Sequence, residues 1–499
     1  MTAQHTPTAK AFLSAAELKQ ATQGQWLNSI APPEDALYSL NTDTRTIQQN
    51  DAFLALYGER FDGHAFLPQA FESGATLAIA EPGRLQAQTY PQPVLLVSQT
   101  VQAYLDIARF YRRKRAAQSI ANADSTFKAE SPLKVIALTG SSGKTTLKGM
   151  LLAAFSSVLH TQASLKNHNN EIGVSQTLLS LNPDTQLLIV EMGMRGLGQI
   201  DQLTRAAEPD VAIVLNVGPA HIGLLGSINA IAQAKCEIFN GLDPECGIAI
   251  LNGDDAPLMQ TFDQHPFAQT APKHHILAFR HADIETKAFS ATETKIKVQG
   301  TWLSVPLPGE HMVANLLAVA TVAQALNIPL KAIAPGLASF TPEEGRGEVC
   351  RTSAYPGLRV INDAYNANPA SMRAALQAAL LHHDAAVHGR LVLVLSAMNE
   401  LGEHSQSYHA ALGQWLAEQS EPSALITVGE EAKWLAEAAA HATFPVIWVP
   451  TVEQIPDKLR QLGLLAPNQP ATLYLKGSRS FKLEALTHYL EANPDVVSA

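Results

Sequence analysis

The chain has 499 residues, room for about three domains at roughly 150 residues each. Its 45 acidic and 35 basic residues leave a net charge of −10, which argues against a general nucleic-acid binder, since such proteins carry a basic footprint. No apolar run of about 18 residues is present to span a membrane, and the N-terminal stretch lacks a basic segment followed by an apolar core. The three cysteines, Cys236, Cys246 and Cys350, have no metal-ligand spacing, so reduced thiols and a cytoplasmic location are expected. Nothing calls for an obligate oligomer, so a monomer without membrane insertion and without nucleic acid is the expectation.

In chain order, residues 1–115 hold short strand-like runs such as "DAFLALYG" and "TLAIAE" between turn residues. The stretch from Arg112, "RRKRAAQSIANADSTFKAESPLK", reads as a helix end followed by a linker. Within 116–347, apolar strands at 134–139, 187–191, 211–216 and 247–252 alternate with helical segments, which predicts a mainly parallel sheet with helices on both faces. The alternation restarts in 348–499, with strands at 358–363, 391–395, 424–428, 446–449 and 472–477. The fold class is therefore α/β in three domains: an N-terminal α/β domain, a central mononucleotide-binding domain and a C-terminal Rossmann-like domain. The last lacks G-x-G-x-x-G, so no dinucleotide is inferred.

The central segment opens with "KVIALTGSSGKTTLKG". The usual phosphate loop is G-x-x-x-x-G-K-[ST]; here Gly143, Lys144 and Thr145 fit, but Leu138 stands where the first glycine belongs. The glycines Gly140 and Gly143, with Ser141 and Ser142 between them, still lie in a strand-to-helix turn. There, backbone N–H groups and the positive end of the helix dipole converge on an anion. Lys144 can reach terminal phosphates, and the hydroxyl of Thr145 can ligate Mg²⁺; Thr146 completes the turn.

Polar residues end the next strands, where open α/β sheets bind ligands. Glu191 closes "LLIVE" and reads either as a Mg²⁺ ligand or as an ordinary strand-end charge. His221 follows Asn216 and reads as a ligand only jointly with Glu191. Lys235, in "INAIAQAKCEIFNGL", reads by composition as a surface lysine.

Together these motifs resemble the Mur ligase family, whose shortened loop T-G-x-x-G-K-[ST]-[ST] matches Thr139 to Thr146. Further matches are "TDTRTIQQNDAFLALYGERFDGHAF", the asparagine-rich "NHNNEIG" at 167–173, "DAYNANPASM" at 363–372 and "LKGSRSFKLE" near the end. Where the family has H-N-V-x-N this chain has "HMVAN", and Ser396, Ala397 and Met398 replace its Gly-Asp-Met. The resemblance implies ATP-dependent joining of D-alanyl-D-alanine to a UDP-N-acetylmuramoyl tripeptide through an acyl phosphate, with Mg²⁺. It implies that Asn315 meets the adenine, Arg346 the ATP phosphates and Asp363 the ribose. Thr44 and Arg45 would meet the UDP end, and Tyr365, Asn366 and Asn368 the dipeptide. Thr145 and Glu191 would hold one metal ion. Lys235, in "AKCEIF", would be carbamylated and hold a second beside His221. A ligase adding one amino acid and a folylpolyglutamate synthase share the loop; "FDGH" and "DAYNANP" weigh against both. A nucleotide switch that ligates nothing is the remaining alternative.

Overall fold

The computed structural model describes residues 12–58, 61–86, 90–123, 132–351, 355–465 and 470–492. Three six-stranded sheets follow one another along the described residues. The first has six strands in the order Phe12–Ser14, Leu37–Asn41, Asp51–Leu54, Leu77–Ala80, Val94–Leu96 and Gln25–Trp26. Its inner pairs are parallel and both edges antiparallel.

The central sheet runs Thr161–Ala163, Leu187–Glu191, Lys134–Thr139, Val211–Val214, Ile248–Asn252 and Ile276–Phe279, all parallel. Its first strand in sequence, Lys134–Thr139, lies in the interior and the next strands depart to either side. That makes its carboxyl end the topological switch point, where a crevice opens for ligands. A three-stranded antiparallel sheet, Thr286–Phe289, Thr294–Val298 and Thr301–Val305, flanks it; the sequence reading did not anticipate it.

The C-terminal sheet has the order Glu348–Arg351, Leu358–Asp363, Ala471–Lys476, Arg390–Ser396, Pro422–Val428 and Val446–Val449, parallel except at its first edge. Arginine-346 connects it to the central domain between Gly345 and Gly347, both at positive φ (74° and 78°), where a side chain would be strained.

The stretch from Arg112 begins, as expected, with the end of a helix, Thr100–Ala123. Its arginines are held from outside: Arg112 donates to the carbonyls of Ala207 and Glu208 at 3.2 and 2.8 Å, and Arg115 to those of Asn182 and Pro183 at 3.0 and 2.7 Å. The first pair of carbonyls closes the helix Gln199–Ala207, the negative end of its dipole, so cations are favoured there. Glu208 also binds Arg109 and Arg113. The same helix packs on Glu171–Leu179 and Gln199–Ala207. Residues 124–131 of the expected linker lie outside the described residues.

Candidate active site

The strand Lys134–Thr139 runs straight into the loop, and the helix Lys144–Phe155 follows. Gly143 caps that helix at φ 77° with no side-chain cap, which leaves the first helical N–H groups open to an anion. A Cβ at Gly143 would stand 2.9 Å from the Leu215 side chain and 3.3 Å from Asn315 Oδ1, so only glycine fits. Asn216, from the neighbouring strand end, shapes the loop: its Oδ1 accepts from Ser141 N and Ser142 N at 2.9 and 3.0 Å, and its Nδ2 donates to Ser142 O. Lys144 is half-buried and folds back, its Nζ donating to Gly140 O at 2.7 Å. Burial lowers its pKa; Glu191 opposes the shift and Arg346 adds to it.

Glu191 is 2% exposed and holds three partners together. Thr145 Oγ1 donates to its Oε2 at 2.9 Å, Asn169 Nδ2 to its Oε1 at 2.9 Å, and Lys148 Nζ lies 3.9 Å away. Thr145 Oγ1 in turn accepts from Arg346 Nη2 at 2.8 Å. A carboxylate and a hydroxyl at an anion-binding helix start make a fitting partial set for Mg²⁺, which takes few protein oxygens and completes its shell with phosphate and water. Among the described residues no cluster of three His, Cys, Asp or Glu side chains forms a ready-made metal cage.

Lys235 overturns the surface reading. The helix Ile228–Cys236 buries it to 1% exposure, and no carboxylate among the described residues is ion-paired with it. Burial, with Lys144 nearby, pushes its amine well below the usual lysine range. His221 sits in the left-handed region at φ 65°, with Nδ1 hydrogen-bonded to Glu400 of the C-terminal domain. That contact, helped by Arg195, holds the Glu400 carboxyl down at about 2 against the opposing effect of burial.

The C-terminal domain closes the other wall. Asp363 ends its strand and accepts from Lys476 Nζ at 2.7 Å and Tyr474 Oη at 3.0 Å. Arg346 stacks over the Tyr365 ring at 4.2 Å. Asn366 is exposed, while the Asn368 carboxamide is committed at both ends. Its Oδ1 accepts from Ser371 N at 2.9 Å, capping the helix Pro369–Leu381, and its Nδ2 donates to Ser141 O in the phosphate loop at 3.2 Å.

One cavity of about 940 Å³ unites most of the expected residues: the loop from Ser141 to Thr146, Glu191, His221, Asn315, Arg346, Asp363, Tyr365, Asn366 and Asn368. Lys235 and Gly140 do not line it. Thr44 and Arg45 are elsewhere, in an N-terminal turn capped by Asp43, which also binds Arg45 at 2.6 Å. Sequence reasoning missed Lys148, whose Nζ donates to Lys166 O at 2.6 Å and pairs with Glu343 at 3.2 Å. A lysine one turn after Lys144 on an otherwise apolar helix was the available signal.

Comparison with known proteins identifies the family. Residues 36–122 match the description "Mur ligase family, catalytic domain", 138–323 the "Mur ligase middle domain", and 345–479 the "Mur ligase, glutamate ligase domain". The UDP-N-acetylmuramoyl-tripeptide–D-alanyl-D-alanine ligase of Bacillus subtilis is 32% identical over 92% of this chain and 94% of its own length. The chain belongs to the Mur ligase family. A second Mur ligase of the same description, from Escherichia coli, is 31% identical with the same coverage. The MurF structure from Acinetobacter baumannii superposes with a TM-score of 0.82 at 30% identity, over 98% of this chain and all of that one. A Thermotoga maritima MurF in complex with ADP shares the fold, with a TM-score of 0.74 at 24% identity over 91% of this chain and 97% of that one.

Proposed function

We propose that this Mur ligase joins D-alanyl-D-alanine to UDP-N-acetylmuramoyl tripeptide at the expense of ATP, yielding the UDP-linked pentapeptide, ADP and phosphate. The observation that carries it is end-to-end likeness to ligases of that one description, with the phosphate loop and the 363–372 segment facing each other across a single cavity.

A carboxylate is a poor electrophile at neutral pH and becomes reactive once phosphorylated. The tripeptide carboxylate attacks the γ-phosphorus, the bond to the β-phosphate oxygen breaks, and ADP leaves. The dipeptide amine then attacks the acyl carbon, and phosphate departs with its oxygen. The free N–H groups at Gly143 to Thr146 and the Lys144 ammonium hold the phosphates and offset the gathering negative charge. Arg346, already at Thr145, lies where it can follow the transferred phosphoryl group. Asn315 is assigned to the adenine and Asp363, oriented by Lys476 and Tyr474, to the ribose. Tyr365 and Asn366 line the cavity and are assigned to the dipeptide; Asn368, bonded to Ser141 O, positions the loop. Thr44 and Arg45 are assigned to the UDP end.

Thr145 and Glu191 would hold Mg²⁺, which supplies charge neutralisation and alignment of the phosphates. Lys235 would serve as a carbamate. Its buried amine, when unprotonated, can add CO₂, forming an N–C bond with loss of a proton, and so turn a potential cation into an oxygen donor. The test is phosphate release measured with each substrate omitted in turn. Release that needs both tripeptide and dipeptide supports ligation; ATP turnover without the dipeptide would favour a nucleotide switch.

A further inference from the structure

We infer that Glu400, a carboxylate of the C-terminal domain, is the positioning residue for His221 of the central domain, so that this imidazole is correctly presented only when the two domains meet. The inference rests on the reading of the cavity as a nucleotide site. Glu400 follows the strand Arg390–Ser396 and is itself in the left-handed region, at φ 63°. Its three oxygens all reach the central domain. Oε2 accepts from His221 Nδ1, Oε1 from Arg195 Nη2 at 2.6 Å, and its carbonyl oxygen from Gly223 N at 3.0 Å. The base of its loop is fixed within its own domain. Met398 N donates to the fully buried His409 Nε2 at 2.9 Å, and Asn399 donates to Ser478 and Ser480 at 3.0 and 2.8 Å. Gly223 packs directly on the Gly402 backbone, with no room for a Cβ. The carboxylate is therefore held rigidly and aimed across the domain border.

A neutral imidazole with one nitrogen donating to a carboxylate keeps its lone pair on the other. Such a partner fixes the tautomer and ring orientation of a ligating histidine. The His221 ring lines the cavity while its Nδ1 is occupied by Glu400, so Nε2 is the nitrogen left for a cavity ligand. With the domains apart, His221 would lose this partner and interchange tautomers. Domain contact thus completes a group that the central domain alone leaves undefined, and full charge stabilisation waits on closure.

The test uses the full chain labelled with ¹⁵N-histidine, metal-free and with ADP bound, at pH 8. The His221 signal is identified by its loss in His221→Asn. In the wild type the neutral ring should carry its proton on Nδ1, with Nε2 unprotonated. In Glu400→Ala the two nitrogens should move toward the averaged shifts of a free imidazole. Alongside, Glu400→Ala should lower kcat about 10- to 100-fold, Glu400→Asp should recover part of that loss, and the double variant with His221→Asn should be no slower than His221→Asn alone. Unchanged ¹⁵N shifts in Glu400→Ala, or losses that multiply in the double variant, would overturn the inference while leaving the ligase reading intact. A wild type that ligates nothing would remove the ligase reading instead, and the ¹⁵N comparison would still decide the pairing.

Discussion

Asn368 offers a way to separate stability from catalysis at a single side chain. Replacing it with alanine removes the cap on Pro369–Leu381, a loss of about 1 kcal/mol, and deprives Ser141 O of its donor. The second bond lies between domains, so its net worth of about 1 kcal/mol shows as a roughly fivefold fall in the docked population rather than as domain stability. Asn368→Asp divides the two effects. An aspartate oxygen still caps the helix and suits the positive end of its dipole, so the domain should keep its stability within about 0.5 kcal/mol. It cannot donate to Ser141 O, however, and it sets a negative charge against the loop proposed to hold polyphosphate. Urea unfolding followed by tryptophan fluorescence is weighted toward the C-terminal domain, which carries Trp415, Trp434 and Trp448 of the five tryptophans; replacing Trp26 and Trp302 with phenylalanine makes it specific. The alanine variant should lose about 1 kcal/mol there. The aspartate variant should unfold like the wild type but show the KM for ATP raised about tenfold, with the dipeptide KM little changed. If aspartate destabilises as much as alanine, the cap is misassigned; if only the dipeptide KM rises, Asn368 binds that substrate directly.

Lys144→Ala should cut phosphate release about a hundredfold or more by removing a preorganised cation, with little change in melting temperature; near-normal turnover would exclude the loop as the phosphate site. Lys235→Ala should abolish most activity, a small added carboxylate should restore part of it, and thermal stability should hold or rise because an unpaired buried amine is gone; failure of rescue together with a lower melting temperature would point to packing alone. Glu208 is raised by burial, but the hydrogen bonds from Arg113 and Arg109 outweigh this and keep it below its ordinary 4.5. A depressed carboxylate contributes stability that is present above pH 4.5 and lost as pH falls through its folded value, so proteolysis within Thr100–Ala123 should accelerate below pH 4.5 in the wild type, and less so in Glu208→Gln. Gly223→Ala places a Cβ against Gly402 N, so small-angle scattering should report a less compact particle and ligation should fail, while an unchanged profile would deny that this contact governs closure.

The parallel strands were legible because burial on both faces writes them as continuous apolar runs: Lys134–Thr139, Leu187–Glu191, Leu358–Asp363 and Val446–Val449 fall where the sequence puts them. The hairpin strands Thr286–Phe289 and Thr294–Val298 did not register, since their lysines and threonines alternate with few apolar residues. At the site, the loop was readable from spacing. The pairing of Asp363 with Lys476 was not, because 113 residues separate them in sequence and only the sheet order makes them neighbours. Lys235 read as exposed because its own helix cannot reveal which elements will cover it; the local pattern allows a solvent face that packing then removes.

The arginines of Thr100–Ala123 have a consequence for how the molecule comes apart. They clamp the helix that follows the N-terminal sheet onto the central domain, over an apolar interface with two of its helices. The C-terminal sheet is joined by one short covalent connector, polar contacts and the smaller apolar contact of Ile222–Leu225 with Met398 and Leu401. Cooperative melting follows packed area rather than sheet count. Three domains should therefore give two thermal transitions, the first belonging to the C-terminal domain alone, and amide protons on both sides of the N-terminal to central boundary should exchange together in the second.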